Sequence, residues 1–217
     1  LMINEGAINA GIAPKFSDPY SYGQGTNWQD EVFNNNAPMM NHQVSVSGAS
    51  EKVNYLFSLG FYTQDGIVGG NFDRSNYERL TLRSNTQYTL FDESKERNWL
   101  NSLKVTSNLS YARIKSTNFD DNSTWGTPLG SALALSPILN VYDETEEAIK
   151  AQFDKYGTTA EYTPVYDPRN GKLFSIPGEF GEMSNPIAKL SLPGDKHWSH
   201  KFVANFSAEL QLWDNLK

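Results

Sequence analysis

The chain has 217 residues, a formal net charge of −7, 20% charged and 13% aromatic residues, and no cysteine. The acidic balance argues against nucleic acid, whose phosphates need clustered Lys and Arg, and the lack of cysteine excludes disulfide scaffolds and thiolate metal sites. No run of about 18 apolar residues occurs, which excludes a transmembrane helix but not a membrane barrel, whose strands need only about 9–11 residues with half of them polar.

Residues 1 to 11 read as a short helix despite Gly6, with Gly11 as its stop. Pro14, Pro19 and the Gly23-Gln24-Gly25 cluster mark a loop. Asn27 to Phe33 predicts one helical turn, capped by Thr26 or Asn27.

A period of two then takes over. In Asn41 to Ala49, Val44 and Val46 alternate with Gln43, Ser45 and Ser47, and Ser50-Glu51-Lys52 has the length and composition of a tight hairpin turn. In Val53 to Val68, Val53, Tyr55, Phe57, Leu59 and Phe61 share one face, against Asn54, Ser58 and Gly60, with Leu56 and Tyr62 as exceptions. Tyr77 to Leu90 sets Leu80, Leu82, Tyr88 and Leu90 against Arg79, Thr81, Arg83, Asn85 and Gln87. Trp99 to Ile114 sets Leu103, Val105, Leu109 and Tyr111 against Lys104, Thr106, Asn108 and Ser110. His200 to Trp213 alternates most cleanly, with Phe202, Ala204, Phe206, Ala208, Leu210 and Leu212 on one face and Lys201, Asn205, Ser207, Glu209 and Gln211 on the other.

Strands this long exceed the usual soluble mode of about 5–6 residues. Their polar face is too charged for the inside of a small sandwich and suits the wet lumen of a large barrel. The pattern therefore predicts an all-β, antiparallel segment of a transmembrane barrel. Phe57, Leu59, Phe202 and Phe206 are expected to face lipid, and Arg79, Arg83, Lys104 and Glu209 the lumen. Connection lengths alternate too. Ser50 to Lys52 and Asp92 to Asn98 are short, whereas Asp65 to Asn76 and Ser116 to Ser199 are long, as with the periplasmic turns and external loops of outer-membrane barrels.

The connection from Ser116 to Ser199 is too long to lack structure of its own. Asp143 to Tyr156 predicts an amphipathic helix ended by Gly157, and Leu129 to Leu139 is an apolar patch in need of a cover. Trp125, Tyr142, Tyr156, Tyr162 and Tyr166 offer flat rings that could stack on sugars; the alternative is that they pack the connection against itself or a lid.

Signals for covalent chemistry are weak. His42, His197 and His200 lack metal-ligand spacing and a neighbouring nucleophile, and His197 and His200 beside Trp198 suit a membrane interface or loop base. The acidic runs Asp120-Asp121-Asn122 and Asp143 to Glu147 lack the calcium-loop pattern, so a solvated loop and an acid-stabilised helix start are the simpler reading. No enzyme activity, cofactor or metal is expected. A secreted, soluble β-rich carbohydrate-binding module or adhesin is the rival from another class.

The order of several motifs carries a resemblance. N-H-Q-V-S-V-S-G-A-S-E-K-V-N-Y-L-F-S-L-G-F-Y-T-Q-D-G-I-V at Asn41 to Val68, then Y-E-R-L-T-L-R-S-N-T, and upstream G-Q-G-T-N-W-Q-D-E-V-F at Gly23 to Phe33, resemble the SusC/RagA family of TonB-linked outer-membrane transporters. Asn27 stands where that family often has aspartate, and N-P-I-A at Asn185 to Ala188 resembles a further family motif. The resemblance is densest from Gly23 to Tyr111. It implies a 22-stranded barrel holding an N-terminal plug, with which the lumen-facing charges would pair, a SusD-like surface lipoprotein as lid, and energy delivered through TonB. Oligosaccharide or peptide would be the cargo, and the plug or lid would cover Leu133, Leu135, Ile138 and Leu139. On this reading residues 1–40 are an early extracellular loop, 41–115 four barrel strands, 116–199 a long extracellular loop and 200–217 a fifth strand. The first residue, Leu1, and the turn-like Asp214 to Lys217 lead us to expect a piece of a longer protein.

Overall fold

The computed structural model describes residues 2–69, 72–91, 100–119, 127–143, 145–156, 163–178 and 183–212. Two compact units emerge, Leu1–Val32 with Asp120–Leu192, and Phe33–Phe119 with Pro193–Lys217.

The second unit is one antiparallel sheet of five strands: β1 (Met39–Ala49), β2 (Val53–Asp65), β3 (Asn76–Phe91), β4 (Ser102–Asn118) and β7 (Asp195–Gln211), in the order β1-β2-β3-β4-β7. β1 and β2 close through Ser50, whose backbone N–H donates to the Val53 carbonyl at 2.8 Å while its hydroxyl accepts from Val53 N–H at 3.2 Å. Gly48 sits opposite Tyr55, and a Cβ there would come within 2.5 Å of the tyrosine ring's oxygen, so the glycine of the S-V-S-G motif makes room for an aromatic neighbour. At the other end of β2, Gly66 N–H donates to the Ser75 carbonyl at 2.6 Å, and Asn34 N–H to the Ile67 carbonyl at 2.6 Å, which ties down the start of the β2–β3 connection. The expected Asp92–Asn98 turn lies outside the described residues.

Strand ends differ from those the alternation marks. β4 continues to Asn118 and β7 starts at Asp195, where Asn118 pairs with Asp195 and Thr117 with Lys196. Backbone pairing extends past the point where apolar alternation stops, because ladder hydrogen bonds do not depend on side-chain polarity. A register shift between Thr89 and Phe91 also brings Phe91 opposite Leu103, where strict alternation predicts Leu90 on that face.

The first unit contains the helices α1 (Met2–Asn9), α2 (Trp28–Val32), α3 (Pro128–Ala134), α4 (Glu146–Tyr156) and α5 (Pro186–Ser191), with a small ladder of β5 (Tyr142–Asp143) and β6 (Leu173–Phe174). α1, α2 and α4 are the helices expected, α4 being preceded by Thr145, whose hydroxyl accepts from Ala148 N–H at 3.1 Å. α3 and α5 have start signals the apolar pattern hid. Thr127 precedes Pro128 and accepts from Gly130 N–H at 3.1 Å; Asn185 precedes Pro186 and accepts from Ile187 and Ala188 N–H at 3.0 and 3.3 Å.

The covering of the 129–139 patch is a correction to the expectation. Leu135 and Leu139 are buried within the chain itself, where α2, α3 and α5 pack on one another, so neither plug nor lid is needed to bury them. Leu133 stays 65% exposed. Trp28 is the peg of this packing, 3% exposed, with its indole N–H donating to the Ser136 carbonyl at 3.0 Å. Thr26 N–H reaches the Pro137 carbonyl at 2.7 Å, and Gly25 beside it has φ +74° with space for no Cβ, which would lie 2.5 Å from that oxygen.

Candidate functional site

Register sorts the sheet's side chains onto two faces. Across all five strands, Val44, Leu59, Leu82, Tyr111 and Phe202 stand directly opposite one another, and Val46, Phe57, Ser84, Leu109 and Ala204 form the next row. Phe206 follows in the row of Ser107, Thr86 and Tyr55. Phe57, Leu59, Phe202 and Phe206 thus share one face, and they are 51%, 46%, 68% and 71% exposed. All the buried apolar side chains among the described residues, from Trp28 to Leu190, belong to the helical unit. Among the described residues the sheet has an apolar face but no core of its own.

The opposite face is mainly polar, with Leu56, Ile114 and Val203 as exceptions. Asn85, Asn108 and Asn205 line up across three strands, with Ser58, Arg83 and Ser110 in the next row. Small neighbours give the arginines room: Arg83 and Arg79 border a depression with Ser58, Gly60 and Thr81. Arg79 lies over the Tyr62 ring at 5.7 Å, while the Tyr62 phenol donates to Gln64 Oε1 at 2.6 Å. Lys104 and Glu209 are register partners on β4 and β7. The structure therefore brings Arg79, Arg83, Lys104 and Glu209 to one face, opposite the four apolar candidates.

The ring candidates of the long connection separate. Trp125 and Tyr162 lie outside the described residues, and of Tyr156 only its place at the end of α4 is described. Tyr142 stacks on Phe174 at 5.3 Å between ring centres, and its phenol donates to Asp167 Oδ2 at 2.7 Å. One face of that ring is already covered. Tyr166 is 45% exposed and its phenol donates to Glu146.

Asp167, which sequence reasoning passed over, is the electrostatic centre of the helical unit. Its enclosed carboxylate accepts from Arg169 Nη2 at 2.6 Å, from Arg169 Nε at 2.9 Å, and from the Arg169 backbone N–H at 2.9 Å. These bonds, the Arg169 guanidinium foremost, hold its pKa well below the usual carboxylate range. Burial, then the bond to Asp167, pushes the Tyr142 phenol up. A depressed folded pKa means the stabilisation is complete above the unfolded value of about 4 and is lost as pH falls from there through the folded one. Hydrogen-exchange protection at residues 163–175, corrected for intrinsic rates, should therefore weaken below about pH 4 in the wild type. Asp167→Asn should lower it at neutral pH by about 2 kcal/mol and flatten the acid dependence; an unchanged acid limb would assign that limb to another group.

N-P-I-A gains a structural reason. The Asn185 side chain, 5% exposed, donates to the carbonyls of Val141 at 2.9 Å and Ser175 at 3.1 Å while its oxygen caps α5. One side chain joins three segments of the helical unit. The Asn-Pro pair was the signal available in the sequence.

Long antiparallel strands, one apolar face, one polar face and no core between them are what a segment of a large membrane-barrel wall presents. No family model matches the chain. Among characterised proteins it is 29% identical over 190 residues to the TonB-dependent receptor SusC of Bacteroides thetaiotaomicron, covering 85% of this chain and 16% of that protein. It is 32% identical over 204 residues to the TonB-dependent receptor P26 of Formosa agariphila, and 30% identical over 204 residues to P3 of the same organism, covering 94% and 93% of this chain. The chain belongs to the TonB-dependent receptors and is SusC-like. It spans 16–17% of the length of the relatives it matches.

Proposed function

We propose that this chain is part of the barrel of an outer-membrane nutrient importer. Its five strands are neighbours in a 22-stranded wall, with Phe57, Leu59, Phe202 and Phe206 toward lipid and Arg79, Arg83, Lys104 and Glu209 toward the lumen and its plug. On this reading the four-strand segment runs over 39–118 and the fifth strand over 195–211, in place of the 41–115 and 200–217 expected from the alternation, with the early loop before them and the long loop between. The helical unit lies on the extracellular side, where a SusD-like lipoprotein seats and Tyr166 contacts cargo. TonB supplies energy through parts of the protein outside this chain. Oligosaccharide or peptide passes inward without covalent change.

The observation that carries this reading is the exposed apolar face of a sheet whose chain keeps its hydrophobic core elsewhere. A soluble carbohydrate-binding module or adhesin would have to hydrate Phe202 and Phe206 on a continuous apolar surface, which soluble proteins rarely do. One whole-cell experiment tests both topology and function. Epitopes placed at Glu51 and at Asn170 of the full-length protein should be hidden and antibody-accessible, respectively. Deleting the gene should abolish growth on one class of oligosaccharide or peptide. Surface labelling at Glu51, or undiminished growth on every such carbon source, would overturn the proposal.

A further inference from the structure

The apolar face changes character at one end, and the change is organised. Beyond Tyr111 on β4, the next two side chains on that face are Arg113 and Lys115, which pair in register with His200 and Trp198 of β7. The Arg113 guanidinium lies 4.8 Å from the centre of the Trp198 ring, and Lys115 Nζ 5.6 Å from it. His200 Nδ1 and the Tyr111 hydroxyl share a 2.8 Å hydrogen bond. Across β3, Leu80 stands opposite Arg113 and Glu78 opposite Lys115, so one carboxylate faces two permanent cations. Trp198 is 53% exposed and cannot neutralise either cation.

Directly beneath these cations the apolar rows hold a groove lined by Val44, Leu59, Leu82, Tyr111 and Phe202. Position adds to chemistry. From Leu103 to Arg113 the strand advances ten residues, about 33 Å at ~3.3 Å each, or roughly 25 Å along the membrane normal at a tilt of ~40°, which is the height of a barrel's apolar band. The cations therefore begin where hydrocarbon gives way to headgroups. An arginine fork, a lysine point charge and an indole plate above an apolar groove match an amphiphile with an anionic head.

We propose that Arg113, Lys115 and Trp198 form a binding site for the phosphate of an outer-leaflet lipid headgroup, whose acyl chain lies in the groove below. Phosphate oxygens accept from the Arg113 guanidinium and the Lys115 ammonium, while Trp198 holds both cations over the interface. Glu78 weakens the site by its like charge. The inference rests on the lipid-facing reading of this sheet, and its test keeps the two apart.

The full-length protein is assembled in phosphatidylcholine nanodiscs containing either monophosphoryl lipid A or its dephosphorylated form, and lipid retained per protein is counted by native mass spectrometry. Wild type should retain the phosphorylated form about tenfold better, because charge-assisted contacts to phosphate are lost with the group. R113Q/K115Q should remove that preference and E78Q should raise it. If the double variant does not assemble, K115Q alone should reduce the preference. Equal retention of both lipids by wild type, or an unchanged preference in the lysine variants, would overturn the site. A lipid-soluble quencher reaching a probe at F206C in the same discs keeps the barrel reading standing in that case; a shielded probe would overturn both.

Discussion

Phe206→Arg and Phe57→Arg are expected to cost the assembled full-length protein about 2–4 kcal/mol, because in the proposed barrel each places a guanidinium near the middle of the apolar band. Phe206 faces Ser107 and Phe57 faces Ser84, in the rows midway between Leu103 and Arg113. Phe202 lies in the row of Tyr111, adjacent to the Arg113 row, so Phe202→Arg should cost less, since the side chain reaches the headgroups by snorkelling. Asn205→Arg, one residue from Phe206 on the polar face, should be tolerated. The measure is the assembled fraction in outer membranes, or the unfolding free energy in phosphatidylcholine vesicles. The depth order is what separates lipid from water. A soluble surface would accept all three arginines within about 0.5 kcal/mol, and that outcome would end the barrel reading.

Trp28→Ala should be the most damaging change in the helical unit, at about 3–5 kcal/mol for removal of a buried tryptophan. The ring is almost fully enclosed, and its loss also strands the Ser136 carbonyl that now accepts the indole N–H at 3.0 Å. Residues 128–139 and 186–191 should then become open to limited proteolysis in the full-length protein, because α2, α3 and α5 pack together. Trp28→Phe keeps most of the apolar area and loses the hydrogen bond, so it should cost about 1–2 kcal/mol. Wild-type protease resistance in Trp28→Ala would mean that α3 and α5 hold without the peg. Gly25→Ala should act in the same direction, since its added Cβ meets the Pro137 carbonyl.

How much the sequence reveals differs between the two units, for a physical reason. A strand with one apolar face writes its orientation into every second residue, so Phe57, Leu59, Phe202 and Phe206 could be assigned to one face, and Arg79, Arg83, Lys104 and Glu209 to the other, before any strand was paired. Register follows from the same period, because a slip of one residue would turn every apolar side chain over. Strand ends were less legible: pairing in β4 and β7 runs on through Lys115 and Trp198, where polarity no longer alternates. The helical unit is another matter. Nothing in Gly23 to Phe33 tells which distant segment will receive Trp28, and the apolar run at 129–139 called for a cover without naming one. The answer lies 108 residues along the chain, at the Ser136 carbonyl, and close packing of non-adjacent segments leaves no period to read. Asp167 was missed for the same reason, since its worth comes from enclosure beside Arg169 and Tyr142. Local alternation determined which side chains share each face of the sheet, whereas only the tertiary structure decided which side chains the helical unit buries, because burial there is a property of partners far apart in sequence.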